Sequence, residues 1–215
     1  MTDTIVKMHY ICPHCRKTTV FDGLAEADLT DNPDLYARVM RGETFRDTCA
    51  FCGTENKIIY DMRAFSTRKH YSVQLSEPKR RDLYARKFTT MMNGGDRTVF
   101  RITSSLNAFK EKISIFEAGR DDRVVETAKR IVMEEALKLE KDLRQDFIRW
   151  FHDARNDREY WLLLGNDGKL RRIPFDPAVY AETKEILLWS EEESFFIDAE
   201  WSERVTALAS GRRRA

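Results

Sequence analysis

Cysteine and histidine are scarce in this chain of 215 residues, with four of each. Few histidines leave few side chains that change charge near neutral pH, which narrows the options for acid–base chemistry. Long apolar runs are missing too. The longest, such as "WLLL" at 161–164, reach about four residues, whereas a bilayer-crossing helix needs about 20. The start, "MTDTIVKMHY", has no basic region followed by an apolar block, so no secretory leader is expected and a cytoplasmic location is. Net charge is only +1, from 37 basic and 36 acidic side chains, so no global field advertises nucleic acid. Nucleophile elbow, His-Glu zinc motif, Walker loop and dinucleotide fingerprint are all absent. The "GG" at 94–95 lacks the Lys-Ser/Thr of a phosphate loop. No catalytic constellation is therefore evident: the expectation is a protein that is not an enzyme, and an enzyme of unknown reaction stays open as an alternative. Asp121, Asp122 and Glu126 can be read as a carboxylate site or, more simply, as the acidic start of a helix.

What is present is an ordinary soluble composition, 42% hydrophobic and 34% charged, long enough for one large domain or two small ones. All four cysteines fall in two pairs, Cys12 and Cys15 in "YICPHCRK" and Cys49 and Cys52 in "TCAFCGTE". Two residues between cysteines let the chain turn back in a tight knuckle, so that both sulfurs and one or two backbone N–H groups converge. Two knuckles then supply four thiolates at the corners of a tetrahedron, the geometry that suits zinc. A disulfide framework is disfavoured in a reducing compartment. A redox dithiol needs one pair at a helix start, not two pairs with turn chemistry. A rubredoxin-type iron centre shares the ligand set and stays open. A catalytic zinc keeps an open position, and four soft thiolates leave none. One structural zinc ion on Cys12, Cys15, Cys49 and Cys52 is the reading. His14 inside the first knuckle is expected to point to solvent, and His9, His70 and His152 stand alone.

The stretches around the knuckles read as a zinc ribbon with a helical insert. "TIVKMHYI" is a strand into the first knuckle and "KTTVFDG" its hairpin partner. In "TDNPDLYARVMRGE", Asn32 caps, Pro33 opens a helix, Leu35, Val39 and Met40 face one way, and Gly42 ends it. "TFRDTC" enters the second knuckle, "NKIIYDMRAF" leaves it as one strand, and "KHYSVQL" adds another. Paired knuckles about 33 residues apart, a short helix and "GETF" between them, and the later "RITSSLNAFKEKISIFEAGRDDRVVETAKR" resemble the CpXC domain family. The resemblance is most specific over residues 10–62 and extends to about residue 139. It implies a cysteine-clustered, zinc-binding bacterial domain and brings no assigned reaction. Ala50 stands where the family pattern has proline, which would only stiffen the turn.

Beyond the ribbon, "RDLYARKFTTMM" predicts a helix closed by the turn "NGGD", and "RTVFRIT" a short strand. Leu106, Phe109, Ile113 and Phe116 make one helical stripe, broken by Gly119. Val125, Ala128, Ile131 or Val132, and Leu139 make the next. "DFIRWFHD", "REYWLLLG" and "KLRRIPFD" predict a three-stranded meander, though the first could prolong the preceding helix. Asp176-Pro177 starts a helix, and Ser202 is expected to cap a last one. All four tryptophans, Trp150, Trp161, Trp189 and Trp201, lie in this final third, where a core role is expected.

The expected fold class is α+β: a zinc-ribbon-like N-terminal sheet with helical insert, a helical hairpin, and a small α+β C-terminal unit. The expected divisions are 1–78, 79–145, 146–210 and a disordered basic tail at 211–215. The expected function is a zinc-stapled binding or adaptor module whose partner is another protein, with no membrane and no small-molecule substrate evident. Nucleic acid is the alternative partner. Residues 76–120 hold ten Lys/Arg against five Asp/Glu. There and just before, Arg68, Lys69, Lys79, Arg80, Arg81, Arg86 and Lys87 interleave with Tyr71, Tyr84 and Phe88, a pattern that can join phosphate contacts to base stacking.

Overall fold

The computed structural model of the chain describes residues 3–92, 97–187 and 194–212. Among these it is a mixed α+β protein with six α-helices and three sheets, as the pattern predicts. It divides into two compact units, Met1–Lys110 and Glu111–Ala215.

In the first unit, β1 (Thr4–Ile11) and β2 (Thr18–Asp28) form an antiparallel hairpin whose turn is the first knuckle. Helix α1 (Pro33–Arg41) follows. The Asn32 side chain accepts the Leu35 N–H, Pro33 sits where its missing N–H costs nothing, and Gly42 closes the helix at φ 75°. Leu35 and Val39 are buried, while Met40 is only half-buried. A 3-10 turn at Glu43–Phe45 leads into β3 (Arg46–Thr48), which pairs with β4 (Glu55–Lys57) around the second knuckle.

The stretch "NKIIYDMRAF" is not the single strand the sequence suggests. Its ladder with β3 ends at Lys57, and β5 (Met62–Ser66) belongs to a different sheet. Tyr60 accounts for the break: its hydroxyl donates to the Thr44 carbonyl at 2.7 Å and accepts the Leu24 N–H at 3.0 Å. With Ile58 N–H bonded to the Phe45 carbonyl, these contacts draw the chain off the hairpin.

Strand β6 (Tyr71–Leu75), helix α2 (Arg81–Met92) and strand β7 (Val99–Thr103) complete the large sheet, in the order β1-β2-β5-β6-β7. The expected "NGGD" turn lies outside the described residues. Pairs β2–β5 and β6–β7 are parallel, so each needs a crossover. Helix α2 is one crossover; α1 plus the β3–β4 hairpin is the other. The ribbon is thus completed by a segment inserted within a crossover. Edge-to-face and tilted aromatic contacts run from Tyr10 through Phe21, Tyr60 and Phe45 to Phe109, tying both hairpins to one core.

Helix α3 (Leu106–Glu117) buries its predicted stripe of Leu106, Phe109, Ile113 and Phe116. Gly119 ends that turn at φ 69°. Helix α4 (Asp122–Leu139) buries Val125, Ala128, Met133 and Ala136, but Leu139 is 91% exposed. The chain leaves the helix there, and Leu143 takes the next place in the core. In the second unit β8 (Leu143–Asp153), β9 (Arg158–Gly165) and β10 (Leu170–Pro174) form the expected antiparallel meander, so "DFIRWFHD" does not prolong α4. Trp150 pairs with Trp161 across it, both buried. Helices α5 (Pro177–Leu187) and α6 (Ala199–Arg212) follow. Asp198 caps α6, accepting the Trp201 N–H at 3.0 Å, and Ser202, expected as the cap, lies buried inside the first turn. Trp201 is buried, while Trp189 and residues 213–215 lie outside the described residues. No helix among the described residues is long and apolar enough to cross a membrane.

Candidate metal centre

The two knuckles are built alike. In the first, Cys12 N–H reaches the Lys17 carbonyl at 3.0 Å and Arg16 N–H the Cys12 carbonyl at 2.9 Å. In the second, Cys49 N–H reaches Thr54 at 3.0 Å and Gly53 N–H reaches Cys49 at 2.9 Å. The fourth residue after each knuckle's first cysteine must adopt positive φ, 61° at Arg16 and 70° at Gly53. This common turn aims each pair of sulfurs inward.

All four sulfurs lie within 4.8 Å of one another, and no other His, Cys, Asp or Glu among the described residues joins their group. The nearest approaches run between knuckles, Cys12 to Cys52 and Cys15 to Cys49, each at 3.7 Å. A disulfide needs about 2.05 Å, so the cysteines are free thiols. A tetrahedron with metal–sulfur bonds of about 2.3 Å has edges of about 3.8 Å. The spacing therefore fits a four-thiolate metal ion, and such a set has no open coordination position.

The surroundings favour charged sulfur at Cys12 and Cys52. Backbone N–H groups of Cys15 and His14 point at Cys12 and, against its burial, hold its thiol below the usual range. The Thr54 hydroxyl and N–H pull Cys52 down to about 5. At Cys15 the Lys17 N–H pulls the same way, but burial and the neighbouring sulfurs outweigh it and push that thiol up to about 11. Crowded thiols cannot all ionise side by side; a cation at their centre removes the conflict. The donor set fits a metal on this ground as well as on distance.

Support comes from side chains that cysteine spacing does not reveal. Asn56, buried between the hairpins, sends its Nδ2 to the Cys12 sulfur at 3.8 Å, to the Tyr10 hydroxyl at 3.2 Å and to the Thr54 carbonyl at 2.9 Å. Tyr10 donates in turn to Asp47 at 2.9 Å, and burial together with that carboxylate raises its hydroxyl to about 12. Such outer contacts orient ligands and temper their charge. His14 is exposed, as expected of a side chain within the knuckle.

The nucleic-acid candidates are not assembled into a stacking surface. Tyr71 is 1% exposed and Phe88 packs on Phe100 in the core, so neither ring is open to a base. Tyr84 donates its hydroxyl to Asp61 at 2.8 Å, with the Arg80 and Lys87 cations over its ring. Arg68 pairs with Asp31, Lys79 with Glu77 and Arg80 with Asp61. Lys69, Arg86 and Lys87 are exposed and Arg81 half-buried, an arrangement typical of a solvated surface.

The carboxylate candidates divide. Asp121 caps α4, accepting the Arg123 N–H at 2.9 Å. Asp122 and Glu126 instead enter a buried ionic network that the sequence did not announce. Lys112 bridges Asp122 at 3.0 Å and Glu126 at 3.1 Å; Lys129 bridges Glu126 at 2.9 Å and Glu111 at 2.8 Å. Glu111 also accepts the Trp150 N–H at 2.6 Å. All five side chains are at least nine-tenths buried, so the carboxylates neutralise lysines rather than face a substrate. The only sequence signal was Glu111-Lys112 inside an apolar stripe.

Comparison with known proteins agrees with the cysteine geometry. The family model described as CpXC protein matches residues 11–129, more than half of the chain and all four cysteines. No curated protein and no solved structure matches the chain.

Proposed function

This chain belongs to the CpXC family, and from that premise we propose that it is a binding module in which Cys12, Cys15, Cys49 and Cys52 hold one structural zinc ion and the surface so fixed docks another protein in the cytoplasm. The observation that carries this reading is the sulfur tetrahedron, with 3.7 Å edges between knuckles and N–H groups aimed at its corners. Zinc, when bound, supplies a tetrahedral closed-shell centre that neutralises thiolate charge without redox chemistry. The chain's own part is to preset the knuckles, to place Asn56 and Thr54 against sulfur, and to fill every coordination position with protein. A closed site of this kind staples; it does not activate water.

Native mass spectrometry of the protein purified from cells tests the reading. One zinc per chain is expected, lost in Cys49→Ser. Cobalt substitution should give the intense visible bands of a tetrahedral thiolate site. Iron in the purified protein, or a chain that carries no metal, overturns it.

A further inference from the structure

Among the described residues, strand β1 lies at the edge of the five-stranded sheet, bonded to β2 on one side only. Its eight residues are a long edge by the standards of soluble proteins, which usually shorten or cover such strands. The knuckle fixes which groups face outward. Cys12 N–H bonds to Lys17, so Cys12/Lys17 is a hydrogen-bonded pair, and alternation along the register makes Tyr10/Thr19, Met8/Phe21 and Val6/Gly23 the others. The N–H and C=O groups of Ile5, Lys7, His9 and Ile11 therefore point away from β2, toward the open edge. The side chains of these same four residues stand on the exposed face. Ile5 and Ile11 are each 66% exposed.

We propose that this edge pairs antiparallel with β1 of a second copy of the chain, Ile5 opposite Ile11 of the other copy and Lys7 opposite His9. Self-complementarity selects the occupant. In a twofold arrangement centred on Met8, all four outward-bonding residues find outward-bonding partners, and each isoleucine meets an isoleucine. Sliding the strands so that Lys7 faces Lys7 sets like charges opposite each other. Sliding the other way sets Ile5 against Pro13, which has no N–H to give. The centred register avoids both. Lys7 is the one residue on the edge of the type that discourages pairing, and Asp22 lies 3.3 Å from its ammonium group on the neighbouring strand.

Analytical ultracentrifugation of the full metal-loaded chain tests this. The expected species has twice the 25.3 kDa mass of one chain. Ile5→Glu, which sets a carboxylate against Ile11, should weaken association at least tenfold, and Ile5→Glu combined with Ile11→Lys should restore it through the opposed charges. Lys7→Pro removes an N–H that β2 does not use, so it should dissociate the pair while zinc content and circular dichroism stay unchanged. A chain that remains monomeric at about 100 μM overturns the proposal, as does a dimer that Ile5→Glu and Lys7→Pro leave intact. Retained zinc in each variant separates failure of the pairing from failure of the metal site.

Discussion

Arg16 and Gly53 hold equivalent places in the two knuckles, and the backbone asks the same of both. Positive φ costs an L-residue about 1 kcal/mol or more, a cost glycine escapes. Arg16→Gly should therefore raise stability by about 0.5–1 kcal/mol net of the added freedom of the unfolded chain, or about 2 °C in Tm for a chain this size. Gly53→Ala should lower it by a similar amount, since its Cβ would meet no atom within 4 Å and only the conformation opposes it. Thermal melts of the metal-loaded variants check both. A rise in Tm for Gly53→Ala would show that the second knuckle does not hold the turn described. At this scale the ligands were legible because knuckle chemistry is local. Asn56 and Tyr10 were not: their contacts with Cys12 and Asp47 span 44 and 37 residues and carry no spacing signature.

Helices α3 and α4 show what periodicity reveals and what it hides. The stripe Leu106, Phe109, Ile113 and Phe116 was legible because a helix repeats its buried face every three or four residues. Lys112, Lys129 and Glu111 carry no periodic signal of burial, and only the packing of the two helices with β8 makes them internal. Burial drives the Glu126 carboxyl upward, yet the ammonium groups of Lys112 and Lys129 outweigh it and hold it below the usual range. Burial lowers Lys129, and Glu111 and Glu126 outweigh that and raise it. The acid thus stabilises the fold above its unfolded value near about 4.3 and loses that contribution as pH falls through the lower folded value. The lysine stabilises it below about 10.4 and loses that as pH rises through the higher folded value. The network accordingly contributes fully between those limits. Lys129→Met removes the ammonium group shared by Glu111 and Glu126, leaving Glu126 only Lys112, and should cost about 3–5 kcal/mol at neutral pH, with a smaller loss toward acid, where protonation relieves the carboxylates. Urea melts across pH would show this; a loss below about 1 kcal/mol at neutral pH would contradict the burial of the network.

Over the whole molecule, the fold class and the meander followed from composition and alternation, while the path between β4 and β5 did not. Propensity alone runs "NKIIYDMRAF" straight through, and only the long-range bonds of Tyr60 turn it. On the proposed reading, the same topology makes a metal ion at the four sulfurs decisive. Strands β3 and β4 have three residues each and α1 nine, too little to hold a segment between two parallel strands unaided. A four-thiolate zinc site contributes about 10–16 kcal/mol to folding, as much as a typical domain's entire stability of about 5–15 kcal/mol. Hydrogen exchange read by mass spectrometry, on the metal-loaded chain and on the same chain after chelation, tests this most directly. The account predicts that amides of β1 to β4 lose protection when the metal leaves, while those of β8 and β9 keep theirs. Unchanged protection across residues 4–57 in protein verified to be metal-free would contradict it.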